Sequence, residues 1–286
     1  MERAIDLIVV LYNNAEFFFR NNYSTLRKNN INIIAVDNND NSKLMEEFSD
    51  TEYIRTPGNI GYGSAVNAGF SAVKSPYTIV CNDDVILYPR SIKGIMKRIP
   101  YYSSSRYSIV GFNIYTPNSR RRGVHRAIYN PYVILYHNSF IPAVLSLFSS
   151  KTGYAGVFET MHYHKSSKQV RGVSGSCFMV NSSDFRSLKG FDSNYFLTYE
   201  EIDLFRRFTL NNRIIYYDCD ILIKHLHGFT SQRIMLTQAY RSMSYFLSKY
   251  YKNIKSPVEM LVLFWLMIKS LLTGDTYAFR NFLRRK

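Results

Sequence analysis

Two adjacent carboxylates in the first third of the chain are well suited to hold a metal ion. Asp83 and Asp84 follow Asn82 and lie between an Ile-Val pair and a Val-Ile-Leu run. Carboxylates this close repel each other unless a cation lies between them. Such oxygen ligands suit Mg²⁺ or Mn²⁺, which typically bridge a diphosphate. The segment therefore predicts a metal site, and the alternative is a solvated turn after a strand.

A second acidic cluster contains Glu200, Glu201 and Asp203. Thr198 and Glu201 match a capping box, and acidic side chains are favoured in the first turn of a helix, so the structural interpretation is a helix start. Neighbouring helical residues point about 100° apart, so Glu200 and Glu201 cannot share one role. Glu200 and Asp203 share a face, which leaves Glu201 a different function.

Two histidines follow an apolar run that lies after the second acidic cluster. His225 and His227 are two residues apart, and on an extended segment they face opposite ways, so at most one binds a given metal ion. A nitrogen ligand beside carboxylates favours Mn²⁺ over Mg²⁺.

Strands and helices alternate in the part of the chain that carries the first cluster. This order predicts βαβ units, an α/β fold and a mostly parallel central sheet with helices on both faces. The predicted strands are Ile5–Leu11, Ile31–Asp37 and Tyr77–Cys81, and the helices are Ala15–Arg27, Lys43–Phe48 and Ser64–Val73.

Each predicted strand runs into polar residues at its carboxyl end, where open parallel sheets bind ligands. Tyr12 and Asn13 follow the first strand, Asp37 and Asn39 close the second, and residues 82–84 follow the third. Each cluster alone is typical of a turn. Together they predict a polar rim at one edge of the sheet.

The glycine-rich segment 58–63 resembles a dinucleotide fingerprint but lacks its third glycine, since Val66 occupies that position. A glycine-rich turn that opens a helix still lets a ligand approach the backbone amides. Gly61 and Asn67 are therefore candidate binding residues.

Charge and composition restrict the partners and the compartment. Lys and Arg exceed Asp and Glu by 36 − 21 = 15, which indicates an anionic partner such as a diphosphate, a lipid headgroup or nucleic acid. The three cysteines form no paired motif, which predicts neither a disulfide framework nor a zinc site and favours the cytoplasm. The first apolar run is far too short for a signal peptide.

Beyond residue 100 the pattern weakens and then recovers. Residues 101–170 are irregular and include a basic run, whereas the segments after them predict further elements. These are strands at Cys177–Val180, Ile214–Tyr217 and Ile221–Ile223, a helix from Glu200, and two helices after Ser231.

In this order the motifs resemble those of family 2 glycosyltransferases, particularly the bacterial rhamnosyltransferase-like branch. The likeness covers roughly Ile5 to Thr230. It is carried by Val36-Asp37-Asn38, by Asn59, Gly61, Gly63, Asn67 and Gly69, by Asn82-Asp83-Asp84, by Gly190-Phe191-Asp192 with Phe196 to Leu204, and by His225, Gly228 and Thr230. The chain departs from the family pattern in Asn82, which opens the metal motif, and in Glu201, where the family has aspartate.

The resemblance implies a GT-A-type fold and an inverting transfer from a dTDP- or UDP-linked sugar, rhamnose or another hexose, in cell-surface polysaccharide synthesis. It implies Mn²⁺ or Mg²⁺ on Asp84 and His225, and Glu201 as the general base, with Glu200 as the alternative and Asp203 beside them. Donor contacts are expected from Tyr12, Asn13, Asp37, Asn39, Gly61, Asn67, Asn82 and Asp83. The resemblance also implies a catalytic domain over residues 1–230, with a nucleotide-binding half of about 1–100 and an acceptor half of about 101–230.

The C-terminal segment, residues 231–286, contains an apolar stretch at Val258–Leu272. Glu259 and Lys269 interrupt it and it is shorter than about 20 residues, which argues against a spanning helix. An interfacial helix followed by Arg280 and the terminal basic residues fits an anionic membrane surface, and hence the inner face of the cell membrane near a glycan or polyprenyl-linked acceptor. The alternative is a helix that packs in the core or in a homodimer.

Two other classes of function compete with this interpretation. A nucleic-acid-binding protein would explain the charge and the abundant Tyr and Phe, but no binding motif appears and acidic residues cluster where the pocket is expected, so we predict no nucleic acid partner. A catalytically inactive scaffold would keep the fold, yet the acidic motifs are intact.

Overall fold

A nine-stranded sheet organises the chain in the computed structural model, which describes residues 5–39, 42–115, 166–226, 232–274 and 276–283, with 125–126, 131, 134–135 and 161–162. The strands are β1 Ile5–Leu11, β2 Asn32–Asp37, β3 Glu52–Arg55, β4 Tyr77–Asn82, β5 Val85–Ile86, β6 Tyr107–Tyr115, β7 His125–Arg126, β8 Met161–His162, β9 Lys168–Val170, β10 Cys177–Asn181 and β11 Ile214–His225. Their order is β3-β2-β1-β4-β10-β6-β11-β5, with β9 also on β11, while β7 and β8 pair separately.

Helices cover both faces of this sheet. Short 3₁₀ turns occur at Glu46–Phe48 and Lys252–Ile254. The helices are α1 Ala15–Lys28, α2 Ser42–Met45, α3 Tyr62–Gly69, α4 Pro89–Ser104, α5 Ser182–Ser187, α6 Glu200–Leu210, α7 Gln232–Tyr250, α8 Lys255–Thr273 and α9 Tyr277–Leu283.

The first four strands of the sheet order are parallel, as predicted from the alternation of elements. β1 is buried along its whole length because successive side chains enter two different cores. Leu7 and Val9 pack with Phe18 of α1 on one face, whereas Ile8 and Val10 pack with the α3 face. Each such aliphatic side chain contributes about 1.5–3 kcal/mol when buried, so this half of the sheet is a rigid support.

The other half of the sheet is mixed. β10 lies antiparallel between β4 and β6, and β6 is parallel to β11. The sequence predicts two separate strands at 214–217 and 221–223, and the structure corrects this to the single strand β11 with an irregularity between Asp218 and Leu222. There Asn113 donates its side-chain N–H to the carbonyl of Cys219. This hydrogen bond satisfies a carbonyl group at the point where the β6–β11 pairing is interrupted.

The C-terminal segment forms three helices in its described part rather than the predicted two. Phe246 of α7 and Val262 of α8 share a buried cluster with Tyr199 and Ile202, so these helices pack against the start of α6. No helix among the described residues is both long and apolar enough to cross a membrane.

Candidate active site

The polar residues at the carboxyl ends of β1, β2 and β4 come together, as expected for parallel strands whose carboxyl ends lie at one edge of the sheet. Asp83 accepts hydrogen bonds at Oδ2 from the backbone N–H groups of Tyr12 (2.7 Å) and Asn14 (2.9 Å). Asn39 donates through Nδ2 to Oδ1 of Asn13 at 3.0 Å. The three turns therefore form one continuous rim at this edge of the sheet.

Asp83 has a supporting role within this rim. Burial raises the pKa of its carboxyl group, and hydrogen bonds from Tyr12 and Asn14 oppose that effect in part. Its Oδ2 faces the backbone after β1, so Asp83 ties the end of β4 to the end of β1, and a donor contact from it stays a prediction.

Asp84 and His225, the two predicted metal ligands, lie side by side. Nε2 of His225 is 2.9 Å from Oδ1 of Asp84, and both side chains are buried. The pairing of β5 with β11 sets this distance, since His225 lies opposite Val85 and the amide of Leu226 donates to the Asp84 carbonyl. The sequence prediction that these two residues meet agrees with the geometry.

The composition of this pair fits a divalent ion whose remaining ligands come from substrate and water. The described residues contain no group of three or more His, Cys, Asp or Glu side chains that could hold a metal ion. Mg²⁺ and its analogues are usually held by one or two protein ligands together with phosphate oxygens. His227, Gly228 and Thr230 of the same motif lie outside the described residues.

A side chain that the sequence reasoning missed supports the metal motif from α1. Asn22 is buried, donates through Nδ2 to the carbonyl of Val85 and accepts from the amide of Leu87. It fixes the segment that directly follows Asp84. The sequence signal that could have revealed this role is an asparagine, Asn22, on the otherwise apolar face of α1.

Asp37 closes β2 and orients the turn after it. Its Oδ1 accepts from the amide of Asn39 at 3.1 Å, and its Oδ2 accepts from the hydroxyl of Tyr53. Asn38 is buried beside it and donates through Nδ2 to Oδ1 of Asn59 at 2.9 Å. Asn38 and Asn59 belong to the motifs that carry the family resemblance, whereas the sequence alone did not single out Tyr53.

The glycine-rich segment packs against the loop before α6, and ligand contacts from Gly61 and Asn67 stay a prediction. A Cβ atom on Gly61, whose φ is 86°, would lie 2.4 Å from the carbonyl oxygen of Phe196. The same carbonyl accepts the amide of Tyr62 at 3.2 Å. Asn67 forms two hydrogen bonds with the backbone of Phe191, so both residues hold the loop that leads to α6.

The start of α6 differs from the predicted capping box. Tyr199 is the N-cap and no side chain caps the helix. Thr198 and Tyr199 have φ angles of 66° and 68°, so two successive non-glycine residues are left-handed. Each such residue costs about 1–3 kcal/mol and persists only where its surroundings fix it.

Glu200 and Glu201 are both buried at this strained start. A Cβ atom on Gly175 would lie 3.1 Å from Cγ of Glu201, so the glutamate packs directly on that glycine. The neighbouring residue, Ser176, accepts the amide of Asn82 at 3.0 Å through its carbonyl. One loop, residues 174–176, therefore lies between the metal motif and the second acidic cluster.

Asp203 belongs to a different network. It is fully buried, and its oxygens accept from Arg207 (2.7 Å), Lys249 (2.6 Å) and the hydroxyl of Tyr250 (2.7 Å). The Asp203 carboxylate therefore ties α6 to α7, and a catalytic role for it stays a prediction.

The family follows from comparison with known proteins. Residues 6–188 match the model described as Glycosyl transferase family 2, which is more than half of the chain. The chain belongs to glycosyl transferase family 2. The resemblance drawn from the ordered motifs is confirmed at the level of the family. The match includes Asp37 and Asp84, whereas Glu200 and Glu201 lie beyond it.

Curated relatives of this family 2 member are rhamnosyltransferases. The chain is 24% identical over 189 residues to an N-acetylglucosaminyl-diphospho-decaprenol L-rhamnosyltransferase of Mycobacterium tuberculosis, which covers 61% of this chain and 59% of that protein. It is 25% identical over 193 residues to the rhamnosyltransferase WbbL of Escherichia coli, with 65% and 69% coverage. The chain thus spans about three fifths of the mycobacterial relative.

Solved glycosyltransferases share the fold at low sequence identity. A mannosyltransferase of Pyrobaculum calidifontis, in complex with GDP-Man and Mn²⁺, has a TM-score of 0.54 at 8% identity, with 99% of this chain and 73% of that chain covered. GalNAc-T7 with UDP, GalNAc and Mn²⁺ has a TM-score of 0.57 at 11% identity, with 84% and 47% covered. The predicted GT-A fold is confirmed.

Proposed function

We propose that this protein transfers a sugar from a nucleotide-diphosphate sugar to an acceptor hydroxyl, with inversion at the anomeric carbon. One observation carries the proposal: the loop of residues 174–176 contacts Asn82, two residues before Asp84, and also contacts Glu201. Ser176 contacts the metal motif, and Gly175 contacts Glu201. Donor diphosphate and acceptor hydroxyl can therefore meet at this loop.

Asp84 and His225 would hold Mn²⁺ or Mg²⁺. When bound, such an ion neutralises the charge of the departing nucleotide diphosphate. The imidazole nitrogen favours Mn²⁺, and two solved glycosyltransferases of this fold contain Mn²⁺, which supports this choice. The rim formed by Tyr12, Asn13 and Asp37 would bind the base and ribose.

Glu201 acts as the general base in this proposal, with Glu200 as the alternative. The acceptor oxygen forms a bond to the anomeric carbon while the bond from that carbon to the diphosphate oxygen breaks. The acceptor proton passes to the Glu201 carboxylate, and the nucleotide diphosphate leaves with its electron pair. A single displacement of this kind inverts the configuration.

The relatives suggest the substrates. Both are rhamnosyltransferases, and the mycobacterial protein is named for an N-acetylglucosaminyl-diphospho-decaprenol substrate. We therefore propose a dTDP- or UDP-linked sugar, rhamnose or another hexose, as donor, and a glycan or polyprenyl-linked acceptor in cell-surface polysaccharide synthesis.

Helix α8 supports a location at the cytoplasmic face of the membrane. One side of α8 is buried against the other helices through Val258, Val262 and Leu266. The opposite side exposes a set of large apolar residues, and Lys252 and Arg280 lie exposed near the two ends of the helix. This set, the α8 apolar face, consists of Met260, Leu261, Phe264, Met267, Leu271 and Leu272. An apolar stripe flanked by basic residues suits an anionic lipid surface.

A thermal-shift panel of UDP-, dTDP- and GDP-linked sugars, with and without Mn²⁺, tests the function. A ligand at about 100 times its Kd stabilises by about 2.7 kcal/mol, which raises Tm by roughly 5–10 °C. We expect one nucleotide class to do so only with Mn²⁺. Asp84→Asn should lose this shift, and Asp220→Asn, a control at an exposed carboxylate, should keep it. The proposal fails if no nucleotide gives a metal-dependent shift.

A further inference from the structure

A lysine of α7 joins two carboxylates that flank the start of α6. Nζ of Lys249 is 2.7 Å from Oδ2 of Asp192 and 2.6 Å from Oδ1 of Asp203. Asp192 lies in the loop before α6, and Asp203 lies in its first turn. Lys249, which lies beyond the family-matched residues 6–188, therefore holds the loop before α6 and the first turn of α6 together.

The segment between these two carboxylates is the strained one. Thr198 and Tyr199 are both left-handed, a conformation that non-glycine residues keep only where surrounding contacts fix it. The amide of Asp203 donates to the carbonyl of Tyr199 at 2.8 Å, which transmits the position of the first turn to the strained residues. Lys249 is bonded on either side of this segment, and Glu200 follows it directly.

The carboxylates keep other partners without the lysine. Asp203 would retain Arg207 and the hydroxyl of Tyr250. Asp192 would retain Asn194 at Oδ1 and the hydroxyl of Tyr245 at Oδ2. Loss of the ammonium group therefore removes a group that bonds both carboxylates at once, while Tyr245 and Tyr250 still tie each carboxylate separately to α7. The expected effect is local.

We propose that Lys249 is a positioning residue that keeps Glu200 and Glu201 in their catalytic orientation by clamping Asp192 to Asp203. It acts through the first turn of α6, by its contacts with the two carboxylates. The proposal rests on the proposed glycosyl transfer. It assigns to the C-terminal helices a part in turnover that is separate from membrane contact.

Three variants test the clamp. Lys249→Met removes the charge, Lys249→Arg retains it, and Lys97→Met is a control on an exposed lysine of α4. Amide hydrogen exchange of residues 196–204 should rise at least tenfold in Lys249→Met, with the strands unchanged, and should stay near the wild-type rate in the other two. Turnover is measured with the member of the nucleotide-sugar panel that the wild type uses. In Lys249→Met, kcat should fall 10- to 100-fold while donor KM stays within about twofold, and Lys249→Arg should restore most of it.

The outcomes separate the two proposals. Unchanged exchange at 196–204, or wild-type kcat in Lys249→Met, overturns the clamp, as does a parallel loss of kcat and donor binding. If the wild type uses no nucleotide-sugar, the proposed function fails, and the exchange data still decide whether the clamp exists. Should Lys249→Met unfold, Asp192→Asn weakens a single arm, and a local rise in exchange there supports the same conclusion.

Discussion

Replacing Gly175 by alanine tests whether Glu201 is the base, because the added methyl group would displace Glu201 without changing its chemistry. The backbone of Gly175 lies outside the left-handed region, so alanine can adopt it. Its new Cβ would lie 3.1 Å from Cγ and 3.2 Å from Cβ of Glu201. Carbon atoms attract best at about 3.5–4.0 Å, so Glu201 must retreat by roughly half an ångström.

The displacement sets the size of the effect. A misplacement of about 1 Å in an active site costs about 100-fold in rate, so half of that predicts a loss of about tenfold in kcat. Alanine restricts the unfolded chain and stabilises by about 0.4–1 kcal/mol, whereas overpacking costs about 1–3 kcal/mol. The net loss, on the order of 1 kcal/mol, lowers Tm by only about 2–4 °C.

Initial rates of sugar transfer, with Kd for the donor nucleotide and Tm, are the measurements. Gly94→Ala is the matched control, because its Cβ would lie 2.7 Å from Cδ1 of Ile221, away from the site, and kcat should not change. In a Glu201→Gln background, Gly175→Ala should cause no further loss. Wild-type kcat in Gly175→Ala, or an equal loss in both backgrounds, would refute Glu201 as the base and favour Glu200.

Two further predictions concern stability and membranes. Burial alone would raise the pKa of Asp192, but hydrogen bonds from Lys249 and Asn194 lower it from 3.8 to about 2. The folded pKa lies below the unfolded one, so this stabilisation is present in full above about pH 4 and is lost as pH falls through about 2. In urea unfolding, Asp192→Asn should differ from wild type by at most about 2 kcal/mol at pH 7, and the difference should shrink steadily as pH falls from about 4 through 2. The double variant Leu271→Ser with Leu272→Ser should bind phosphatidylglycerol vesicles at least tenfold more weakly, whereas Leu210→Ser, another exposed leucine, should bind normally. A wild-type dimer that the double variant disrupts, without vesicle binding, would instead favour a subunit interface.

The parallel half of the fold could be predicted because its signals are local. β1 is apolar throughout and ends in polar residues, and its bounds, Ile5–Leu11, are those expected from the sequence. The rule that ligands bind beyond the carboxyl ends of parallel strands then located the rim. The prediction that Asp84 and His225 lie together came from the order of the family motifs, because the spacing between the two residues carries no such information.

The roles of individual polar residues could not be predicted, because they depend on contacts between distant segments. Gly61 faces Phe196, and Asp203 is held by Lys249, which lies 46 residues further along the chain. A local reading of Thr198 with Glu201 gave a capping box, whereas tertiary packing imposes a left-handed start on α6. Periodicity contains no information about which distant group a carboxylate will meet.

The order of strands in the second half has a consequence for how such a protein can change during evolution. β6 ends at Tyr115 on the edge that carries the active site, and β10 begins at Cys177 on the same edge, opposite Cys81. Among the described residues between them, only the short β9 joins the main sheet. Chain can be inserted or removed between two such anchors at a cost of only about 0.6 kcal/mol for each doubling in length. In the proposed function, exchange of this one segment would alter the choice of acceptor while the sheet and the rim keep their places.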